Sequence, residues 1–327
     1  MFGILGRLRR GSAGVRHRQI PIGTSPLVVF SGGLRWLDEG CDLYAAEALV
    51  RHLIDGVDSD VVALAGFAPS HAFATRSLPA SASFSERRIA HVINGALLCM
   101  AAGELLKSRG AEAKAVAGLS LGETCAAFAA GALTRNEAAR MLCALVTSLP
   151  HEDRLCRQFT MQLPVADALE LCRAAPVPLQ LFGEPSRGAA VLMAEQAYAD
   201  EAGRFLAKAG KVIDSSETRG WYHLEHVPFD EDLFTRISAP LQPELPRVPL
   251  YSAGQGGAVR GELGTAFWRR TVDGPHRFGS AISAALADGH DGVLVIGPRM
   301  IGDWIVRGAA AGGTPVAVAA WDEVLAA

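Results

Sequence analysis

Val116-Ala117-Gly118-Leu119-Ser120-Leu121-Gly122-Glu123 sets a serine between two glycines, directly after an apolar run and just before Cys125-Ala-Ala-Phe-Ala-Ala-Gly-Ala-Leu-Thr134. Strand, tight turn and helix in that order form the nucleophile-elbow context, where small neighbours permit a turn sharp enough to expose the hydroxyl. The following helix aims its first amides at charge developing beside the serine, and the Leu121 amide is the expected donor. A bare Gly-x-Ser-x-Gly also occurs in turns without chemistry, so the flanking sequence has to decide.

Upstream, Pro26-Leu-Val-Val-Phe30 is a short apolar run stopped by Ser31-Gly32-Gly33 and reads as a buried strand entering a loop. Ile89 to Arg109 is apolar at helical spacing and ends at Gly110. Downstream, the helical pattern of Ala126 to Leu145 is interrupted at Gly131-Ala-Leu-Thr134, with Thr134 suited to cap the continuation. Strands alternating with helices imply a parallel sheet covered on both faces. The pattern changes over residues 156–215, where strand (Phe159–Leu163), helix (Val165–Ala174), strand (Val177–Phe182), strand (Ala189–Ala194), helix (Glu195–Ala209) and strand (Lys211–Asp214) follow one another. That is the split β-α-β-β-α-β order of a ferredoxin-like unit. The mixed pattern then returns with strands at Val248–Tyr251 and Gly292–Ile296 and a helix at Phe278–Ala287. The reading is an α/β-hydrolase-like body over 25–155 and 216–327, interrupted by a ferredoxin-like small domain over 156–215.

Charge and composition remove several function classes. The net charge is −3, and five arginines fall among the first twenty residues with no acid beside them; the other 26 Lys and Arg face 34 Asp and Glu, leaving the remainder near −8. A mildly acidic body without a basic stripe gives no footprint for nucleic acid. The basic leader, 1–24, is expected to be poorly ordered. The richest apolar stretch, Val92 to Ala102, is followed by Glu104 and Lys107, short of the roughly 20 residues that cross a bilayer, so no membrane span is expected. Six cysteines without a CxxC pair read as core residues in a reducing, cytoplasmic setting. No metal site is expected, since His223, Glu225 and His226 lack the HExxH spacing. Gly254-Gln-Gly-Gly257 lacks a following lysine and reads as a turn, and Asp230-Glu-Asp232 reads as a capped helix start.

Gly118–Glu123 followed by Ala-Ala-Gly-Ala-Leu133, Asn94-Gly-Ala-Leu-Leu98 upstream, and Arg247-Val-Pro-Leu-Tyr-Ser252, Gly274-Pro-His-Arg-Phe278 and Val295-Ile-Gly-Pro298 downstream are together similar to the malonyl-CoA:acyl-carrier-protein transacylase family and polyketide-synthase acyltransferase domains. The resemblance covers most of the chain, small-domain insertion included. It implies Ser120 as nucleophile and a histidine base within Trp221-Tyr-His-Leu-Glu-His226. Ungapped register from Pro249 selects His223, whereas a gap of three, aligning Pro228, selects His226. It implies a base whose second nitrogen is held by a main-chain carbonyl, by register that of Thr271, and an oxyanion hole from the Leu121 and Gly33 amides. It further implies a CoA or phosphopantetheine thioester as substrate, an acyl carrier protein as partner, no resident cofactor, and a monomer.

Departures from the family pattern bear on the substrate. The first loop reads Gly32-Gly-Leu-Arg-Trp36 where the family has GQGSQ, so Arg35 and Trp36 are expected to reshape the entrance. His91 stands where the family often has a pocket glutamine, and Leu119 flanks the nucleophile. The arginine that clamps a malonyl carboxylate is replaced, by register, by Leu145, and a buried carboxylate without a partner is costly. The family's asparagine-bearing turn in the small domain reads Phe182-Gly183-Glu184-Pro185 here, which is expected to alter the substrate wall, with Gly183 on it. The chain therefore reads as a serine acyltransferase for an acyl group other than malonyl, acting in trans in polyketide or fatty-acid assembly. Two alternatives stay open: an acyl-thioester hydrolase of the same fold, and a non-catalytic carrier-binding subunit.

Overall fold

The computed structural model describes residues 23–327 apart from 79–81, 152–153, 211, 221, 226, 315 and 327. All but the last two residues of the basic leader therefore lie outside the described residues. From Pro26 onward, β1 (Pro26–Phe30) and β2 (Ala115–Gly118) pair in parallel, with Leu27 opposite Ala115 and Phe30 opposite Gly118. The chain then builds a second sheet from β3 (Leu155–Met161), β4 (Gln180–Gly183), β5 (Ala190–Glu195) and β6 (Val212–Arg219). It returns to the first with β7 (Leu250–Ser252), β8 (Gly257–Ala258), β9 (Gly292–Ile296) and β10 (Ala317–Ala320). The order β10-β9-β1-β2-β7-β8 is parallel throughout except for β8, a short antiparallel partner of β7.

The apolar runs are central strands covered on both sides. Val28, Phe30, Val116, Leu294 and Ile296 pack with Ile93, Leu97 and Met100 of the Phe84–Ser108 helix, whereas Leu27, Val29, Ala117, Val293 and Val295 pack with Phe278, Ile282, Ile301 and Ile305 on the opposite face. The two-residue strand period assigns alternate side chains to two cores, which an unbroken apolar run cannot reveal.

Helix ends follow local chemistry. Ser83 Oγ accepts the Glu86 amide at 3.2 Å and the Glu86 carboxylate accepts the Ser83 amide at 2.6 Å, a reciprocal box that starts the long helix five residues before the apolar pattern does. At 25 residues it is long and apolar enough to cross a membrane by length and composition, and 72% of its apolar window is buried within the body. Thr134 forms the same box with Glu137, and Asp230 caps the Glu231–Ser238 helix by accepting the Leu233 amide at 2.8 Å.

The small sheet is antiparallel in the order β4-β5-β3-β6, which is the ferredoxin-like arrangement. Phe159, Met161, Leu181, Leu192 and Leu206 form its core under the Val165–Ala174 and Ala199–Lys208 helices. Its strands run from Leu155 to Arg219, beyond 156–215 at both ends. The excess lies mostly in β6, an edge strand exposed at nearly every residue and held by its ladder to β3. The small domain docks through the turn after β4: the Glu184 amide donates to the His276 carbonyl at 2.7 Å, and its carboxylate accepts the Ser280 amide at 3.1 Å and hydroxyl at 2.5 Å.

The closest approach in the body lies under the Ser120 turn, where a Cβ added to Gly122 would stand 2.0 Å from the Phe30 carbonyl oxygen. Gly122→Ala should therefore lower urea-unfolding stability by about 3 kcal/mol or more, because rigid backbone on both sides cannot move aside. Gly261→Ala, with open space around its Cβ, should stay within about 0.5 kcal/mol of wild type. Equal midpoints for the two variants would contradict this packing.

Candidate active site

Ser120 sits at the end of β2 with φ of +57°, a left-handed conformation costing a non-glycine residue ~1–2 kcal/mol. The turn is held by main-chain bonds from Leu119 N to Phe30 O at 2.9 Å, Gly122 N to Leu119 O at 2.9 Å and Glu123 N to Ser120 O at 2.9 Å, the last opening the Gly122–Ala129 helix. Glu123 turns inward and is 1% exposed. Burial pushes its carboxyl up to about 7, opposed by hydrogen bonds from the Ser252 hydroxyl at 2.5 Å and the Gly254 amide at 2.8 Å. The elbow is thereby tied to the turn after β7, where Gly254–Gly257 lies.

His223 reaches the serine from the segment that follows the small domain. Its Nε2 is 2.8 Å from Ser120 Oγ. The backbone there is also left-handed, with φ of +58°, and is fastened by His223 N to Val272 O at 2.9 Å and Gly274 N to Leu224 O at 3.0 Å. Burial lowers the imidazole pKa to about 4, so the ring is neutral at pH 7 and Nε2 can accept the serine proton in the Nδ1–H tautomer. The rival, His226, lies outside the described residues.

The expected bond from the base to the Thr271 carbonyl is not formed. His223 Nδ1 is buried without a partner among the described residues, and the contact with this turn is made between main chains, through Val272. Against the His223 ring stands a residue that its sequence context did not single out. His276 is 4% exposed, its ring centroid lies 5.6 Å from that of His223 at an interplanar angle of 83°, and Phe182 meets both rings edge-on. Burial, and next the charge of His223, lower its pKa to about 3. Its ring fills the space above Gly183, where an added Cβ would come within 2.4 Å of it. The signal was an ionisable residue inside Gly274-Pro-His-Arg-Phe278, but only the tertiary pairing of Gly183 with His276 shows its place.

Ser120 and His223 open into a cavity of about 490 Å³ whose wall includes Gly33, Arg35, His91, Leu119 and Leu121. Gly32, with φ of +75°, lies so near the elbow that its Cβ would fall 2.2 Å from the Gly122 amide nitrogen, which brings Gly33 beside the serine. The Leu121 amide has no acceptor among the described residues. The Gly33 amide lies close enough to the Cys99 sulfur to favour its thiolate, against the burial that pushes that thiol up to about 12.

Three substrate-side expectations need correction. Leu145 is wholly buried in the main core, and the cavity wall there is formed by Val146 and Leu149. Gly183 is absent from the wall, its place taken by Phe182 and His276. Trp36 does not shape the entrance: it is 0% exposed and packs on Phe73, with its Nε1–H donating to His91 Nδ1 at 3.0 Å. Arg35, 89% exposed and 3.7 Å from Asp38, remains at the mouth. Arg88 also lines the cavity and donates to the Arg219 carbonyl, whereas Arg140 is held by Asp60 at 3.0 Å.

Residues 28–148 match the acyl transferase domain family. Curated relatives include the squalestatin hexaketide synthase clz14 of Cochliobolus lunatus, 27% identical over 83% of this chain and 11% of that protein. Another is the mycocerosic acid synthase-like polyketide synthase of Mycobacterium tuberculosis, 27% identical over 81% of this chain and 12% of that protein. The chain thus spans about a tenth of the length of these relatives. Among solved structures, the acyltransferase domain of the polyketide synthase PpsC of Mycobacterium tuberculosis superposes with a TM-score of 0.72 at 22% identity, covering 91% of both chains. MCAT from Streptococcus pneumoniae superposes with a TM-score of 0.66 at 20% identity, over 90% of this chain and 95% of that one. Residues 28–148 thus match the acyl transferase domain model, and over nine-tenths of its length the chain is similar in fold to a polyketide-synthase acyltransferase domain and to MCAT.

Proposed function

We propose that the chain is a serine acyltransferase that moves an acyl group without a free carboxylate from a CoA or carrier-protein thioester to an acyl carrier protein. The observation that carries this reading is the 2.8 Å contact between His223 Nε2 and Ser120 Oγ at a strained turn opening into the cavity. His223 takes the serine proton as Oγ attacks the thioester carbonyl, and the Leu121 amide, with that of Gly33, holds the tetrahedral oxyanion. Collapse breaks the carbon–sulfur bond, and the His223 imidazolium returns its proton to the departing thiolate. A carrier thiol then reverses these steps on the Ser120 ester, regenerating serine and neutral histidine.

The composition of the wall supports selection against malonyl. Val146 and Leu149 offer nothing to a carboxylate, Arg140 is paired with Asp60, and Arg35 stands in solvent. Burying an unpaired carboxylate costs at least a few kcal/mol, and each 1.4 kcal/mol is about tenfold in rate. Arg88 is the one cation on the described wall committed only to a carbonyl, and it would carry any malonyl activity.

Comparing kcat/KM for malonyl and butyryl thioesters on one carrier should show a preference for butyryl of about a hundredfold or more, with acyl-carrier product in excess of free acid. Equal values, or a malonyl preference lost in Arg88→Leu, would overturn the selectivity, and free acid as the main product would make the protein a hydrolase.

His223→Ala should lower kcat/KM by about 10⁴ or more, while His226→Ala remains within about tenfold of wild type. Since only neutral His223 accepts the proton, wild-type acylation should be flat through neutral pH and fall on the acid side with a midpoint near pH 4, below the usual histidine value near 6.5. A dead His226→Ala with an active His223→Ala would reassign the base.

A further inference from the structure

The Trp36 indole is wholly buried, and among the described residues its Nε1–H has one partner, His91 Nδ1, at 3.0 Å. An indole nitrogen only donates, so Nδ1 must present a lone pair, and a neutral imidazole with a bare Nδ1 carries its proton on Nε2. Protonating His91 would set two donors face to face and leave a buried N–H unpaired. Desolvation acts in the same direction, lowering the His91 pKa. His91 lines the same cavity as Ser120, and its Nε2 has no acceptor among the described residues. One helical turn further on, the Gly95 carbonyl accepts the Leu34 amide at 3.2 Å. The loop bearing Gly33 is thus fastened to this helix at two points, which fixes His91 relative to the serine.

We propose that the buried Trp36 indole locks His91 into the Nε2–H tautomer, making His91 a specificity-determining neutral donor that reads an acceptor oxygen of the bound thioester. The inference rests on the acyltransferase reading for its substrate class. A neutral donor in a largely apolar cavity suits an uncharged oxygen: a hydroxyl or keto oxygen on the acyl chain, or an amide carbonyl of the pantetheine arm. It gives oxygenated acyl groups an advantage over plain ones if the acceptor is on the chain, and strengthens every thioester alike if the acceptor is on the arm.

Two measurements on the full chain test this, and neither needs turnover. In ¹⁵N-histidine spectra, His91 should show an unprotonated Nδ1 and a protonated Nε2, and in Trp36→Phe it should protonate about tenfold more readily because no indole donor opposes it. A proton on Nδ1 in the wild type, or unchanged titration in Trp36→Phe, overturns the lock. In a Ser120→Ala background, which keeps thioesters intact, dissociation constants are compared for butyryl-, 3-hydroxybutyryl- and 3-oxobutyryl-pantetheine and free pantetheine. Adding His91→Phe should weaken the oxygenated acyl groups about fivefold and spare butyryl; an equal loss for all four, free pantetheine included, supports the donor and places its acceptor on the arm. Unchanged affinity for all four overturns the donor role. Failure of wild-type Ser120 to become acylated would count against the acyltransferase reading and leave both of these results standing.

Discussion

The approach of the elbow helix to β1 is the constraint on which the site depends. The Phe30 carbonyl accepts the Leu119 amide on one side and is covered by Gly122 on the other, where any Cβ would collide with it. With the backbone pinned at both points, Ser120 is forced into the left-handed region and its hydroxyl is lifted out of the turn. Gly32 presses on the same place from the first loop, so the candidate oxyanion amides of Leu121 and Gly33 are set by main-chain packing rather than by side chains. This explains how a loop so changed in side chains can keep the geometry around the serine.

The second half of the dyad depends on how the small domain docks. His223 belongs to the segment leaving β6, and its main chain is stitched to residues 272–274 while Glu184 binds the neighbouring 276–280 stretch. Phe182 brings an aromatic edge to both His223 and His276, leaving two imidazoles in a largely apolar wall. Both are neutral there because burial disfavours the cation, and their mutual repulsion reinforces this for His276. The linkage has a fixed sign: below about pH 6.5 the unfolded chain binds protons that these rings refuse in the fold, so their contribution to stability is lost as pH falls.

Much of this was legible in the sequence because the decisive segments carry their own punctuation. Pro26–Phe30 and Gly292–Ile296 are apolar runs bounded by turn residues, Phe278–Ala287 has a clean helical pattern, and Thr134 announces its helix through Glu137. β6 was less visible because a polar edge strand is defined by its ladder rather than by alternation. Counting from Ser120 selects Leu145 in sequence but not the face it occupies; Val146, rotated about 100° around the helix, is the residue that meets the cavity. Trp36 was misplaced for a similar reason, since a loop residue's number does not say whether it faces solvent or core. His276 and the missing bond to Thr271 are matters of tertiary contact alone.

Covalent capture of the acyl group tests the central claim most directly. The intact mass of the protein is measured after incubation with a panel of acyl-CoA and acyl-pantetheine thioesters, and peptide mapping locates any adduct. The account predicts one acyl group per chain on Ser120, discharged by a carrier thiol and absent in Ser120→Ala. An adduct that persists in Ser120→Ala, or no adduct with any thioester while the protein is folded, would contradict it.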